Sequence, residues 1–151
     1  MKETTGDLWQ FHDSGYPIVI PTNLVLDSRR RNVMGKGLAK QAKQRYPDLP
    51  VKQGKQILKT GRAAVVYYPE YNLFCFPTKY KWWDRSNLEL IQKMAAELAD
   101  QADALHFNEV YLPRLGCGLG GLWWSEVSPL LQCFLDDRFI VVDWVKGRQQ
   151  R

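Results

Sequence analysis

The residues best suited to chemistry lie at positions 116–122 (GCGLGGL), where four of the chain's eleven glycines fall within six positions. Glycine tolerates positive φ and lets backbone come close to a ligand. Residues 109–115 (EVYLPRL) read as a buried strand before this loop, and Val127, Leu130, Leu131 and Phe134 follow it at helical spacing. Strand, glycine loop and helix in that order aim backbone N–H groups and the positive end of a helix dipole at one point above the strand end. The natural guest there is an anion such as a diphosphate. A tight strand-to-helix turn carries the same glycines, so the loop alone leaves both readings open.

Residues 32–49 (NVMGKGLAKQAKQRYPDL) repeat the arrangement. Gly35 and Gly37 open a helix with Leu38, Ala39, Ala42 and Tyr46 near one face, and Pro47 must stop it. Two such loops facing one another would hold the two ends of an extended anion. Ile18, Val19 and Ile20 read as a central strand ending at Thr22 and Asn23, which sets Asn23 at the same sheet edge as the glycine loops. Gly6 and Asp7 put a carboxylate near an opening strand over residues 4–11 (TTGDLWQF). Arg29, Arg30 and Arg31 form either a solvated charge run or part of a phosphate-facing rim.

The remaining elements must position these groups. A short helix is expected over 53–60, closed by Gly61, and two strands over 63–68 and 73–76 joined by a turn at 69–72. Ser86 with Glu89 three residues on is a capping-box signature for the longest helix. That helix runs to about Leu105, with Leu88, Ile91, Ala95, Leu98, Ala102 and Leu105 on its core face. Just before it, Tyr80, Trp82 and Trp83 either pack beneath the helix or offer ring faces to a base. The helix after the second glycine loop reaches about Leu135, and residues 139–145 (FIVVDWV) form a last strand. Alternating helices and strands without repeat or linker give an α/β class, a mixed central sheet of about six strands sandwiched between helices. A single domain is expected over 1–146, with 147–151 a disordered basic tail.

Composition narrows the function classes. With 45 % hydrophobic and 25 % charged residues, the chain of 151 residues can bury a core, which excludes wholesale disorder. No apolar stretch approaches the roughly 18–20 residues that span a bilayer, and the polar start MKETTGDLWQ does not read as a signal peptide. A cytoplasmic monomer without membrane contact is expected. Cys75, Cys117 and Cys133 are odd in number and widely spaced, so they read as reduced, mostly buried thiols. With only His12 and His106 and no ligand spacing, neither a metal nor a cofactor is expected. The net charge of +5 suits an anionic ligand or a nucleic-acid partner.

Taken together, Gly6-Asp7-Leu8, IVIPTN at 18–23, NVMGKGLAKQAKQRYPDL at 32–49, FPTK at 76–79 and PRLGCGLGGLWW at 113–124 resemble the macro domain family, whose members bind ADP-ribose. The blocks occur in the family's order over nearly the whole chain, a far more specific signal than one glycine motif. The resemblance implies a single macro domain with an ADP-ribose cleft across the strand ends. It implies that Asp7, with Leu8 beside it, accepts a hydrogen bond from the adenine amino group, as an acceptor-only carboxylate can. Met34, Gly35, Lys36, Gly37 and Leu38 would approach the distal ribose and a phosphate. Gly116, Cys117, Gly118, Leu119, Gly120, Gly121 and Leu122 would wrap the diphosphate with backbone N–H groups, and Asn23 would bond the distal ribose hydroxyls.

Within the family, the Met34 to Gly37 run, FPTK and GCGLGGL look closest to the DNA ADP-ribosyl glycohydrolase antitoxin-like and phage-type branch. Members of that branch use a lysine at the position of Lys79, where a desolvated amine beside an anionic ligand serves as nucleophile or proton carrier at the distal ribose C1. The resemblance therefore implies a hydrolase removing ADP-ribose from a modified macromolecule, a DNA base included, with a single-stranded DNA contact. A reader of ADP-ribose without chemistry and a phosphatase acting on ADP-ribose 1″-phosphate share the same cleft. The chain departs from its relatives at three places. Gly120 stands where some lysine-using members carry an aspartate, residues 24–33 are longer and arginine-rich, and Trp123 replaces an aspartate near a helix start, which predicts a missing cap.

Overall fold

The structure, a computed structural model, describes residues 1–144. Its six strands, β1 (Lys2–Thr5), β2 (Ile18–Thr22), β3 (Val66–Tyr68), β4 (Leu73–Pro77), β5 (Val110–Leu112) and β6 (Phe139–Asp143), form one sheet in the order β1-β6-β5-β2-β4-β3. Every neighbouring pair is parallel except β3 with β4, so the sheet is mixed, with one antiparallel edge. The helices are α1 (Leu8–Asp13), α2 (Gly37–Arg45), α3 (Leu49–Thr60), α4 (Leu88–Ala104) and α5 (Trp124–Gln132).

A strand buried on both faces reads as a near-continuous apolar run, as β4 does throughout and β2 does up to Thr22. Successive side chains point to opposite faces. Val19, Phe74 and Phe76 accordingly pack with Ile91, Leu98, Val127 and Leu131 of α4 and α5. Ile18, Ile20, Leu73 and Cys75 pack with Leu8, Trp9, Ala39, Ala42 and Leu49 of α1, α2 and the start of α3. The expected α/β/α layering is thus built from two cores, one on each side of the sheet. No helix among the described residues is long and apolar enough to cross a membrane.

Several expectations shift. Residues 4–11 are not one strand: β1 ends at Thr5, and Asp7 is the N-cap of α1, its Oδ1 accepting the Trp9 N–H at 2.9 Å. Leu8, Trp9 and His12 then share a buried helical face. The short helix expected over 53–60 begins earlier, at Leu49, with Pro50 in its first turn, where the missing N–H is harmless. Gly61 closes it as expected, in the left-handed region at φ 68°. β3 is shorter than predicted because side chains of α4 take the backbone of Val65: Glu97 Oε1 accepts its N–H at 3.1 Å and Gln101 Nε2 donates to its carbonyl at 2.6 Å. β5 ends before Pro113, which has no N–H to continue the ladder. Cys75 and Cys117 are buried, but Cys133 is exposed.

The cap of the longest helix moves by one residue. Asn87, not Ser86, is the N-cap of α4 and its Oδ1 accepts the Leu90 N–H at 3.0 Å, while Ser86 is buried with its Oγ 3.4 Å from Thr78 Oγ1. At the far end Ala102 is fully buried, whereas Leu105 is 42 % exposed beyond the helix, so the core face is one turn shorter than expected. Asn87→Ala should cost about 1 kcal/mol of stability through the lost cap. Chemical denaturation would read this as a lower midpoint at an unchanged slope, and equal midpoints would deny the cap its role. Val145 and the tail 147–151 lie outside the described residues.

Candidate functional site

Five parallel strands end at one edge of the sheet, so the segments after them gather there. The segment after β5 leads to α5 on one face, and the segment after β2 leads to α2 on the other. β2 and β5 are neighbours, so the chain leaves them in opposite directions and opens a crevice between them, the usual place for a ligand in such a sheet. Both glycine loops line this crevice. A Cβ on Gly37, whose φ is 59°, would lie only 3.2 Å from Leu119 Cδ1, so the loops meet across it.

The loop after β5 is held from behind. Gly116, at φ 77°, takes the Leu122 N–H on its carbonyl at 2.9 Å, and Gly120 O accepts the Ser86 N–H at 2.9 Å. A Cβ on Gly120 would sit 2.1 Å from Ser86 Oγ and 2.5 Å from Gly116 O, so no side chain fits there. The absence of an aspartate at this position is therefore enforced by packing against α4's entry. Gly118 is the opposite case: it is exposed, and a Cβ there meets nothing within 4 Å. The N–H groups of Gly118, Leu119 and Gly120 find no acceptor among the described residues. Consecutive free amides on the outer side of a loop are an anion-binding arrangement. Cys117 and Leu122 are buried and anchor the loop, while Leu119 is 67 % exposed.

The second loop adds a helix start. Lys36 is the N-cap of α2 without a side-chain capping bond, so the first amides of α2 are free to meet an anion. Met34 is buried beneath it, Gly35, Lys36 and Gly37 are exposed, and Leu38 is half-buried. α5 also starts without a side-chain cap, at Trp123, as the missing aspartate predicts.

Lys79 follows β4 at the same edge. It is half-buried, and its Nζ donates to the Trp82 carbonyl at 3.4 Å. Burial lowers its pKa below the ordinary lysine value; nearby Asp84 raises it and Lys36, from the second glycine loop, lowers it. The amine thus feels the charge of Lys36 and is made easier to deprotonate.

At the other end of the crevice, Asp7 is half-buried between β1 and α1, and Leu8 is buried in the core. Thr5 pairs with Asp143, and Gly6 N–H donates to Asp143 O at 3.1 Å, so the chain leaves β6 beside Asp7. The next residue is Trp144, 45 % exposed, an aromatic face that no sequence motif marks. Its only signal is an aromatic residue directly after the last apolar run.

Asn23 directly follows β2, at the strand end where it was expected, and its amide meets the loop that comes after it. It is buried, its Nδ2 donates to Val33 O at 2.9 Å, and its Oδ1 accepts the Val25 N–H at 2.9 Å and Asn32 Nδ2 at 3.2 Å. Its amide therefore helps close the loop 24–33, and only one bond donated by Nδ2 is found among the described residues. Asn32, buried and equally without a motif of its own, donates to Val25 O and Asn23 O as well. At the loop's tip Asp27 accepts the Arg29 and Arg31 N–H groups and the Arg31 Nε, so Arg31 is engaged while Arg29 and Arg30 stay exposed. The side chains of Tyr80, Trp82 and Trp83 do not pack beneath α4; all three are exposed. Among the described residues no group of three or more His, Cys, Asp or Glu side chains could hold a metal ion.

Comparisons with known proteins bear on the family and the fold. A family model described as Macro domain matches residues 28–131. The DNA ADP-ribosyl glycohydrolase of Thermus aquaticus is 34 % identical over 124 residues, covering 75 % of this chain and 34 % of that protein. The chain spans about a third of the length of the curated relatives it matches. Among solved structures, the macrodomain of Thermus aquaticus DarG superposes with a TM-score of 0.73 at 27 % identity, over 95 % of this chain and 97 % of that one. Thermosipho africanus DarTG in complex with ADP-ribose shares the fold, with a TM-score of 0.80 at 23 % identity over 100 % of this chain and 43 % of that one.

Proposed function

The chain belongs to the macro domain family, and on that premise we propose that it binds ADP-ribose in the crevice between its two glycine loops and hydrolyses the bond joining ADP-ribose to a modified DNA base. The observation that carries this reading is the row of amides at Gly118, Leu119 and Gly120 without an acceptor among the described residues, across from the uncapped start of α2, with Lys79 just past β4 at the same sheet edge. The likeness to a relative named DNA ADP-ribosyl glycohydrolase supports the choice of reaction and of substrate.

In this reading the free amides and the helix start hold the diphosphate, where fixed donors need no rearrangement when charge arrives. Asp7 accepts from the adenine amino group, and Trp144 offers its ring to the face of the same base. The distal ribose then lies toward Lys79. Cleavage breaks the bond from C1 of that ribose to the base; water supplies the hydroxyl to C1 and a proton to the departing base. Lys79, with its lowered pKa, is the group available to attack C1 or to carry that proton. Asn23 enters as the residue that fixes the loop 24–33 at the rim of the crevice.

Single-turnover incubation with ADP-ribosylated single-stranded DNA, ADP-ribosylated protein and ADP-ribose 1″-phosphate, side by side, tests the reading. Release of ADP-ribose from the DNA alone is expected. Tight ADP-ribose binding without release from any of the three would make the chain a reader, and phosphate release alone would make it a phosphatase.

A further inference from the structure

The segment between Lys79 and α4 is fixed at its base and open at its tip. Tyr80 O accepts the Leu24 N–H at 3.1 Å, Arg85 Nη2 donates to Gly121 O at 3.1 Å, and Asn87 N–H donates to Thr78 O at 2.8 Å. The segment is thus tied to the loop 24–33, to the glycine loop and to the end of β4. On this fixed base Trp82 and Trp83 stand 48 % and 59 % exposed, the largest side chains in the protein turned outward side by side. Their rings lie 5.2 Å apart at 88°, so they meet edge to face, which leaves both faces of one ring free of the other.

The surroundings identify the partner. Lys81 Nζ lies 5.6 Å from the Trp83 ring, Lys81 and Arg85 flank the pair in sequence, and the exposed Arg29 and Arg30 belong to the loop that Tyr80 holds. Asp84 is the one acid in the segment. Lysine is depleted at protein interfaces, whereas open aromatic faces among cations match a polymer that carries flat rings on an anionic backbone. Paired bases hide their faces within the duplex, so only unpaired bases can use both rings.

We propose that Trp82 and Trp83, flanked by Lys81 and Arg85, form a stacking platform for unpaired nucleotides that flank the modified base, outside the ADP-ribose crevice. The platform rests on reading the crevice as acting on DNA and adds a grip that does not depend on the modification. Because the Lys79 amine donates to the Trp82 carbonyl, a strand lying on the platform leads directly to the reacting end of the crevice.

The test uses the full chain and a labelled, unmodified oligothymidine of about a dozen nucleotides, within the usual footprint of single-strand binders. Wild type should bind the single strand at least tenfold more tightly than the same sequence in a duplex, with quenched tryptophan emission. Trp82→Ala/Trp83→Ala should weaken single-strand binding by roughly tenfold or more and remove most of the quenching, the scale of aromatic–base stacking. ADP-ribose affinity in that variant should stay within twofold of wild type, which also shows that it folds. Trp82→Phe/Trp83→Phe should retain most of the binding. Equal oligonucleotide affinity in wild type and the alanine variant overturns the proposal and leaves the patch to a protein partner. Equal affinity for single strand and duplex overturns it as well, as does a loss of ADP-ribose binding, which would assign the tryptophans to the crevice. Absence of turnover on modified DNA in wild type bears instead on the glycohydrolase reading, because the oligonucleotide here carries no ADP-ribose.

Discussion

Lys79→Ala is expected to bind ADP-ribose within a few-fold of wild type and to lose roughly 10²-fold or more in single-turnover release from modified DNA. That is the scale of a positioned nucleophile or acid-base group. A group that acts on C1 mainly stabilises the transition state, so its removal slows the step and spares ground-state binding. The surroundings of the amine add a second readout. Burial is the main cause of its lowered pKa, and Lys36 pushes in the same direction. If the neutral amine is the active form, the rate climbs with pH and levels off below the range of an ordinary lysine. Lys36→Gln removes a like charge, so it should move that profile to higher pH, the direction in which the Lys79 pKa rises. Normal turnover in Lys79→Ala would sink the lysine mechanism.

Gly118→Glu is expected to cost several kcal/mol of ADP-ribose affinity, roughly a hundredfold or more in Kd, through like-charge contact with the diphosphate. The position isolates the effect because a Cβ there meets nothing within 4 Å and the residue is exposed, so the variant should fold as wild type does. Gly118→Ala is the control, adding bulk without charge, and should lose far less. Calorimetry on the three proteins decides the matter. Unchanged affinity in Gly118→Glu would remove the loop from diphosphate binding. The same experiment at Gly120 would be uninformative, since any side chain there collides with Ser86 and Gly116 and disturbs the fold first.

These two glycines separate what is legible in the chain from what is not. Glycine density alone marks residues 116–122 as a contact loop, yet Gly118 serves an open face and Gly120 a buried crossing. That distinction depends on Ser86, far earlier in the chain, whose N–H meets Gly120 O. The central strand is legible because Ile18, Val19 and Ile20 face two cores and leave no polar position to confuse the pattern. The start of the chain misleads for the opposite reason. TTGDLWQF alternates well enough for a strand, but Asp7 caps the backbone of Trp9 and turns the second half into a helix. Asn23 is legible in position and not in its partners. Its strand-end place follows from IVIPT, whereas its amide partners, Val33, Val25 and Asn32, come from a loop whose path no local pattern gives. Trp144 lacks any motif, and its place directly after the residue that pairs with Thr5 depends on the pairing of β1 with β6.

That pairing also governs the order in which the crevice can form. β1 lies at the sheet edge and its sole neighbour is β6, so residues 2–5 must wait for residues 140–143 before they find a partner. Contacts of such long sequence separation are slow, because a whole chain's loop must close before they gain anything. β5, β2, β4 and β3 need no such wait, since their order is complete without either terminal strand. During synthesis the glycine loop, the start of α2 and Lys79 can therefore come together while Asp7 still hangs on an unpaired segment. On this order the Asp7 end of the crevice forms last and depends on β6, so a lesion in residues 139–143 should disturb the surroundings of Asp7 before it reaches the glycine loop at 116–122.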